Sequence, residues 1–268
     1  MLYELCILIP ARFGQQQIAN KNLCEVHGQS LVKRAISHAN YLKNSKIRIC
    51  LSTNKPESVL ASVNQKSLEE FRRQISSLSR EIISTHDFDI HIRSESLSLP
   101  TSLTLDTIRA VRKSYSVDEI YFKRWMILQP TSPFRSRSEL DELLREIQSN
   151  IYADAYSLCS ITSVGEKHPA RMYVIRGEEM RHYLENSKDE FLRRQDLGEL
   201  YVRDGGYYVT SDDLIEKGIL LLEKSKFIVR IHPWNINIDY MEDLKFARSV
   251  DLVEVANDPN VGSPKPFR

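Results

Sequence analysis

The stretch Leu5-Cys6-Ile7-Leu8-Ile9-Pro10 decides the fold class of this chain. Five consecutive apolar residues that end at a proline are typical of a strand buried on both faces of a parallel sheet. Apolar residues recur at helical spacing over residues 31–42, and strand-like runs follow at 47–51 and 125–128. This alternation predicts right-handed βαβ units, and therefore an α/β fold with a mostly parallel, doubly wound sheet.

Two further helices, followed by a series of short strands, complete the predicted architecture. Residues 101–115 have helical spacing, and Ser136 with Glu139 three residues later is a capping box that begins a helix reaching about residue 148. After residue 154 most of the predicted elements are short strands, at 155–160, 172–175, 206–210 and 227–231. We therefore expect a β-rich extension over about residues 163–210.

Residues 57–83 form a segment that stands apart from this alternation. Apolar residues in it are spaced by 3, 4, 3 and 4, at Leu68, Phe71, Ile75, Leu78 and Ile82. Such a narrow seam predicts an inserted helix that docks on another helix, either in its own domain, which is favoured, or in a second subunit. We expect one domain over residues 1–255 and a loosely ordered, proline-containing tail over 256–268.

Composition narrows the class of protein and its partners. The chain has 268 residues, 41% of them hydrophobic, and 37 Lys+Arg against 36 Asp+Glu give a net charge of +1. This balance offers no field that attracts a polyanion, so nucleic acid is not an expected partner. The sequence has no apolar run of membrane-spanning length and begins directly with a strand, which predicts a cytoplasmic protein without a membrane partner. The widely separated Cys6, Cys24, Cys50 and Cys159 favour reduced, mostly buried thiols over a metal or redox site.

The loop after the first strand carries two cations, Arg12 and Lys21, within the sequence P-A-R-F-G-Q-Q-Q-I-A-N-K-N of residues 10–22. A parallel sheet presents its binding edge at this point, and fixed cations suit the charge that develops in phosphoryl transfer. The loop has neither a Walker pattern nor a G-x-G-x-x-G turn. Taken alone, the loop is weak evidence for such a site, and two basic residues in a solvated loop are the favoured interpretation.

Three later segments add polar groups at predicted strand ends. Residues 128–135, L-Q-P-T-S-P-F-R, leave a strand with an amide, two hydroxyls and a cation. The run R-R-Q-D-L at 193–197 precedes 201–208, where a glycine pair allows close backbone approach. Residues 235–239 alternate as a strand, which predicts that Asn237 and Asp239 face the same side. A carboxylate beside an oxygen donor suits Mg²⁺.

Together these segments resemble the acylneuraminate cytidylyltransferases, the family of CMP-sialic acid synthetases and their legionaminate and pseudaminate relatives. The family's opening I-P-A-R-x-G-S-K-x-x-x-x-K-N is similar to residues 9–22, and its L-Q-P-T-S-P-L-R segment recurs at 128–135 with only Phe134 changed. His168-Pro169, Arg171-Met172 and the run at 194–197 follow in the expected order. The resemblance covers residues 5–250.

The resemblance implies a Rossmann-like nucleotidyltransferase fold with a small β-rich dimerisation extension, and a homodimer in which that extension reaches the neighbouring subunit's site. It implies that the anomeric hydroxyl of a nonulosonic acid attacks the α-phosphate of CTP, which releases pyrophosphate and forms a CMP-sugar. Catalytic roles fall on Arg12, Lys21 and Asp239. The implied nucleotide contacts are Ala11, Arg12, Lys21, Asn22, Arg93 and Thr104; the implied sugar-acid contacts are Gln129, Arg194 and Arg203; and the implied Mg²⁺ ligands are Asp239 and Asn237.

The chain departs from the family pattern at several charged or small positions. The family's Gly-Ser-Lys-Gly is replaced by Gly14 followed by Gln15, Gln16 and Gln17, and three family aspartates are replaced by Asn54, Pro100 and Asn237. These changes remove charge near the triphosphate and the metal. Two alternatives therefore stay open, a catalytically weakened or non-catalytic nucleotide- or sugar-binding relative and a CMP-Kdo synthetase.

Overall fold

The computed structural model of the protein describes residues 1–14, 17–75, 81–184, 197–230, 232 and 234–251. Strands and helices alternate along these residues. The strands are β1 (Leu2–Pro10), β2 (Glu25–Val26), β3 (Gln29–Ser30), β4 (Ile47–Thr53), β5 (Ile82–Ser84), β6 (Asp89–Ile92), β7 (Tyr121–Leu128), β8 (Ser157–Ser163), β9 (Tyr173–Arg176), β10 (Glu179–His182), β11 (Tyr201–Ser211) and β12 (Lys226–Val229). The α-helices are α1 (Leu31–Leu42), α2 (Pro56–Val63), α3 (Gln65–Ile75), α4 (Glu95–Ser98), α5 (Thr104–Ser116), α6 (Arg137–Ser149), α7 (Asp212–Lys217) and α8 (Met241–Ser249). Short 3₁₀-helices cover Lys21–Leu23 and Pro169–Arg171.

An eight-stranded sheet forms the centre of the molecule, in the order β12-β8-β11-β7-β1-β4-β6-β5. The strands β7, β1, β4 and β6 are parallel to one another, and β12 is parallel to β8. Only β11 and the edge strand β5 run antiparallel to their neighbours. The predicted α/β class with a mostly parallel sheet is confirmed.

The first strand is buried on both faces, as its unbroken apolar sequence predicts. Leu5, Ile7 and Ile9 belong to one apolar cluster with residues of α1 and α6, while Cys6 and Leu8 belong to a second cluster with residues of α5 and α7. The helices therefore cover the two faces of the sheet. Burial of each such side chain stabilises the fold by roughly 1.5–3 kcal/mol.

The local signals for helix α6 act as the sequence predicts. Ser136 is the N-cap residue, and its hydroxyl accepts a hydrogen bond from the backbone N–H of Glu139 at 3.1 Å. This bond satisfies one of the N–H groups that a helix start leaves unpaired. The helix begins at Arg137, directly after the loop that leaves β7, and so fixes where that loop ends.

Residues 57–83 differ from the single inserted helix that their spacing predicts. They contain α2, α3 and β5, because Asn64 ends α2 in an extended conformation and its side chain accepts a hydrogen bond from the backbone N–H of Lys66. Such local side-chain bonds compete with a continuing helix. Leu68 and Phe71 pack in the core of their own domain, whereas Ile75 is exposed and Ile82 lies in β5. Leu78 lies outside the described residues.

The β-rich extension contains a hairpin apart from the central sheet, since among the described strands β9 and β10 pair only with each other. The segment 234–240, which contains the predicted strand at 235–239, has no strand conformation, so that prediction is wrong. The predicted tail at 256–268 lies outside the described residues. The four cysteines are free thiols, and three of them are buried. No helix of the described ranges is long and apolar enough to cross a membrane.

Candidate active site

A cleft of about 480 Å³ lies at the carboxyl ends of the parallel strands, between the loops after β1, β6 and β7 and the start of α5. Ligands of open α/β sheets bind at this edge. The cleft is lined by Pro10, Arg12, Gln17, Lys21, Asn22, Arg93, Ser102, Leu103, Thr104, Thr107, Gln129, Pro130, Thr131, Asn237, Asp239 and Tyr240.

Most of the residues singled out from the sequence meet in this one cleft. Arg12, Lys21, Asn22, Arg93, Thr104, Gln129, Asn237 and Asp239 all line it. Ala11 is buried behind the cleft, where its backbone N–H donates to the carbonyl of Ser52. Arg203 lies on the exposed first part of β11 and does not line the cleft, while Arg194, Gln15 and Gln16 lie outside the described residues.

The loop after β1 presents two cations from different local structures. Arg12 lies two residues after the end of β1, and its Nη1 donates to the carbonyl of Leu99, the residue after α4, at 2.5 Å. The carboxamide of Asn22 donates to the backbone carbonyl of Arg12 at 2.9 Å, so the loop folds back on itself. Lys21 begins the 3₁₀-helix at this return and has a side chain that is only 13% exposed.

Lys21 forms an ion pair with Asp239 across the cleft, with Nζ 2.9 Å from Oδ1. The other carboxylate oxygen of Asp239 accepts a hydrogen bond from Nδ2 of Asn237 at 2.9 Å. The two residues meet although their segment is not a strand, because the backbone N–H of Ile238 donates to the carbonyl of Thr131 at 2.8 Å and pins the segment to the loop after β7. Both oxygens of the carboxylate therefore already have partners.

Arg93 supplies a third cation from the end of β6. It is 6% exposed, and its Nε donates to the hydroxyl of Ser52 at 3.2 Å. Its Nη2 has no hydrogen-bond partner among the residues that the structure describes. Burial, followed by the charge of Arg12, lowers the pKa of Arg93 to about 10. An unpaired, buried guanidinium nitrogen is costly, so an oxygen-rich ligand in the cleft gains binding energy by pairing with it.

His91 completes a buried chain of polar groups behind Arg93. Its Nδ1 is 2.9 Å from the hydroxyl oxygen of Ser52, and burial, followed by the charge of Arg93, lowers the pKa of His91 to about 4. In the tautomer with its proton on Nε2, the neutral imidazole accepts the proton of the Ser52 hydroxyl, whose oxygen in turn accepts from Arg93. His91 therefore orients Arg93 through Ser52, a connection that no local sequence signal indicates.

A buried cluster of charged side chains contacts the loop after β7. Arg230 pairs with Glu139 at 2.8 Å and with Asp204 at 2.9 Å, and all three side chains are at most 7% exposed. Arg135 donates to the carbonyls of Gln129 and Gly206 at 3.0 and 2.5 Å. Burial lowers the pKa of Arg135 to about 9. The cluster connects the end of β7 to the part of β11 between Arg203 and Tyr208, where the pairing with β8 changes register.

Gly205 and Gly206, in the part of β11 where its pairing with β8 changes register, both lie close to other side chains. Gly205 has φ of 75°, and a Cβ there would lie 2.9 Å from Oε1 of Gln129. A Cβ at Gly206 would lie 2.5 Å from Nη1 of Arg230. The predicted close backbone approach is therefore toward the cleft-lining Gln129 and the buried Arg230.

The residues of the cleft fit a Mg²⁺ ion held by one carboxylate and by phosphate oxygens, which is within the ion's usual ligand range. Asp239 is the single carboxylate that lines the cleft among the described residues, and its side chain is 52% exposed. No group of three or more His, Cys, Asp or Glu side chains in the described part of the chain is arranged to hold a metal. The cleft does not fit a site built on two carboxylates.

Sequence inspection missed several polar residues that line the cleft. Thr107 lies one helical turn after Thr104 on α5, so their spacing of three is a signal for a shared face. Thr131 belongs to the quoted L-Q-P-T-S-P-F-R segment, and Tyr240 follows Asp239 directly. Ser102 has no comparable signal, because it lies in the irregular turn before α5.

Comparison with solved structures shows which fold this cleft belongs to. The chain is similar to a CMP:2-keto-3-deoxy-manno-octonic acid synthetase complexed with CTP, with a TM-score of 0.55, 12% identity and coverage of 92% of this chain and 97% of that one. It is similar to 4-diphosphocytidyl-2C-methyl-D-erythritol synthase from Anaerococcus prevotii, with a TM-score of 0.50, 14% identity and coverage of 92% and 95%. It is also similar to the bifunctional IspDF from Campylobacter jejuni, with a TM-score of 0.51, 10% identity and coverage of 91% and 54%.

These likenesses show that the chain shares the α/β fold of these proteins. No protein-family model matches the sequence, and no curated protein does.

Proposed function

We propose that this protein is a cytidylyltransferase that transfers CMP from CTP to the anomeric hydroxyl of a nonulosonic, sialic-type acid and releases pyrophosphate. The observation that carries the proposal is the convergence of Arg12, Lys21 and Arg93 in one cleft at the carboxyl ends of the sheet. Three cations face a single carboxylate there, so the cleft has the charge that a triphosphate needs. The shared fold with cytidylyltransferases supports the same class of reaction.

The reaction requires the protein mainly to position the reacting groups of CTP and the acid and to neutralise the charge of the phosphates. Arg12 and Lys21 bind the triphosphate and stabilise the charge that collects on pyrophosphate as the bond to the α-phosphate breaks. Asn22, Arg93 and Thr104 bind the cytidine side, where Nη2 of Arg93 is free to donate. Asp239 would hold Mg²⁺ once the incoming phosphates pair with Lys21, and the ion would supply further positive charge to the phosphate oxygens.

The acceptor acid occupies the side of the cleft formed by the loop after β7. Gln129 offers an amide, and the absence of a Cβ at Gly205 leaves room for its Oε1. Arg194 and Arg203 pair with the acid's carboxylate. The exposed position of Arg203, away from the cleft of its own chain, is consistent with a role in the site of a second subunit.

A synthetase for the shorter acid Kdo is the second candidate. The observation that favours it is the similarity to a CMP:2-keto-3-deoxy-manno-octonic acid synthetase over 92% of the chain. The preference for a nine-carbon acid rests on the resemblance of residues 128–135 and 203–208 to the acylneuraminate family. A non-catalytic binding relative is favoured by a different fact, the engagement of both oxygens of Asp239.

A pyrophosphate-release assay separates these candidates. Purified protein is incubated with CTP, Mg²⁺ and one of sialic, legionaminic, pseudaminic or Kdo acid, with ATP, GTP and UTP as nucleotide controls and Asp239→Asn as the matched protein control. Release with CTP and a nine-carbon acid supports the proposal, and release with Kdo alone supports the second candidate. CTP binding, measured by calorimetric titration, without release for any acid supports a nucleotide-binding relative. Absence of CTP binding excludes both synthetases and leaves only a sugar-binding relative.

A further inference from the structure

Asn54 forms a two-sided contact with the loop that carries Arg12. Its Oδ1 accepts a hydrogen bond from the backbone N–H of Phe13 at 2.8 Å, and its Nδ2 donates to the backbone carbonyl of the same residue at 2.9 Å. Asn54 follows β4 and Phe13 follows the neighbouring β1, so the contact joins two loops at the same edge of the sheet.

Only a side chain with both a donor and an acceptor satisfies this contact. A carboxamide has both, whereas an ionised carboxylate accepts only and would place negative charge against the carbonyl of Phe13. The family aspartate at this position therefore does not fit the backbone of this chain. The change to Asn54 is an adaptation to the loop rather than a loss of a charged group.

The two hydrogen bonds between Asn54 and Phe13 act together with neighbouring contacts to fix the backbone at Arg12. The backbone N–H of Ala11 donates to the carbonyl of Ser52, and the carbonyl of Arg12 accepts from Asn22. The ring of Phe13 is packed in the core at 8% exposure. With the residues before and after it fixed, the side chain of Arg12 enters the cleft from an anchored backbone.

We propose that Asn54 is a positioning residue that holds Arg12 in place for the phosphates of the nucleotide. The inference rests on the proposed function, because it takes the ligand of Arg12 to be a triphosphate. In this inference Asn54 does not contact the nucleotide itself. The effect of Asn54 on binding must therefore depend on Arg12 and on the presence of phosphates.

The test compares CTP with cytidine by titration calorimetry and competition, in wild type, Asn54→Asp, Arg12→Ala and the double variant. Asn54→Asp is nearly isosteric, and we expect it to weaken CTP binding about tenfold, as loss of a hydrogen bond and a new repulsion imply. Cytidine binding should stay within about twofold, since cytidine has no phosphate for Arg12 to contact. In the Arg12→Ala background, the substitution at position 54 should have almost no effect on CTP.

Thermal unfolding shows whether Asn54→Asp is folded, and Asn54→Ala, which adds no charge, takes its place in the same comparisons if it is not. Equal losses for CTP and cytidine would overturn the inference, because they indicate general damage to the cleft. Unchanged CTP binding, or a loss that persists without Arg12, would overturn it as well. If wild type binds no CTP, the proposed function fails and this inference fails with it, whereas the other failures leave the proposed function intact.

Discussion

Arg12 and Lys21 are the cations that the sequence places in the loop after β1, and both side chains reach the cleft. Replacement of either by Ala should weaken CTP binding by about 1.5–3 kcal/mol, as expected for charge-assisted hydrogen bonds. Calorimetric titration with CTP measures the loss. Lys66→Ala, which removes an exposed lysine of α3 away from the cleft, is the matched control and should bind CTP as wild type does. Identical titrations for all variants would mean that the loop binds something else.

Asn237 is the departure from the family pattern that lies nearest to the proposed metal. Its amide donates to Asp239, where a second aspartate would instead repel that carboxylate until a cation arrives. Asn237→Asp should therefore lower the Mg²⁺ concentration needed for half-maximal pyrophosphate release, and Asp239→Asn should abolish the metal-dependent reaction. A Mg²⁺ titration of release checks both. Curves that coincide for wild type and Asn237→Asp would exclude Asn237 from the metal's surroundings.

Ser52 and His91 join the parallel strands β4 and β6 beneath the cleft, and this pair predicts a pH dependence of stability. Burial lowers the pKa of His91 to about 4, below its ordinary 6.5, so the unfolded chain binds more protons between these values. Stability therefore falls as the pH is lowered through this window, and His91 should account for about 2 kcal/mol between pH 7 and pH 5.

Urea unfolding at pH 7 and pH 5 measures this contribution. His91→Asn keeps an acceptor for the Ser52 hydroxyl but has no titrating group, so the variant should lose about 2 kcal/mol less than wild type over the same interval. His38, whose pKa burial also lowers, contributes equally to both proteins and cancels in the comparison. Equal losses in the two proteins would show that His91 takes up its proton in the folded state as it does in the unfolded chain.

The elements that sequence inspection finds correctly are those with a strong local cause. The apolar run at residues 5–9 lies within β1, and the cap at Ser136 begins α6 where expected. The prediction for 57–83 is wrong because Asn64 interrupts the periodic pattern with a side-chain bond that apolar spacing does not report. The strand expected at 235–239 fails because its backbone bonds go to Thr131 and Asp243 instead of to a neighbouring strand.

In the candidate site, too, residues in local sequence patterns could be predicted, and contacts between distant residues could not. Eight of the residues that the family resemblance implies line one cleft. They could be named from the sequence because each lies in a quoted motif or at a position that matches the family. The supporting contacts are invisible in the sequence, since Asn54 and Phe13 are 41 residues apart and Ser52 and His91 are 39 apart. Both pairs are created by the parallel arrangement of β1, β4 and β6, which places their loops side by side.

The hairpin β9–β10 exposes an apolar face that the described residues of the chain leave uncovered. Ile175 and Met180 are directly opposite each other and are 80% and 66% exposed, with Tyr173 on the same face. An isolated two-stranded hairpin is marginally stable in water, and exposed apolar patches of this kind mark interaction sites. We propose that a second copy of the chain covers this face in a homodimer, as the resemblance to the acylneuraminate family implies.

Light scattering at micromolar concentration should therefore show a dimer, and Ile175→Glu combined with Met180→Glu should convert it to a monomer, because two charges would be buried without partners. The matched control is Ile75→Glu on α3, which is 40% exposed but lies apart from the hairpin and should leave the dimer intact. Phe71 on the same helix is fully buried in its own core and is not available for a contact between subunits. A dimer that survives the hairpin variant but not Ile75→Glu would move the interface to α3. A monomeric wild type would remove the proposed dimer, and with it the placement of Arg203 in the site of a second subunit.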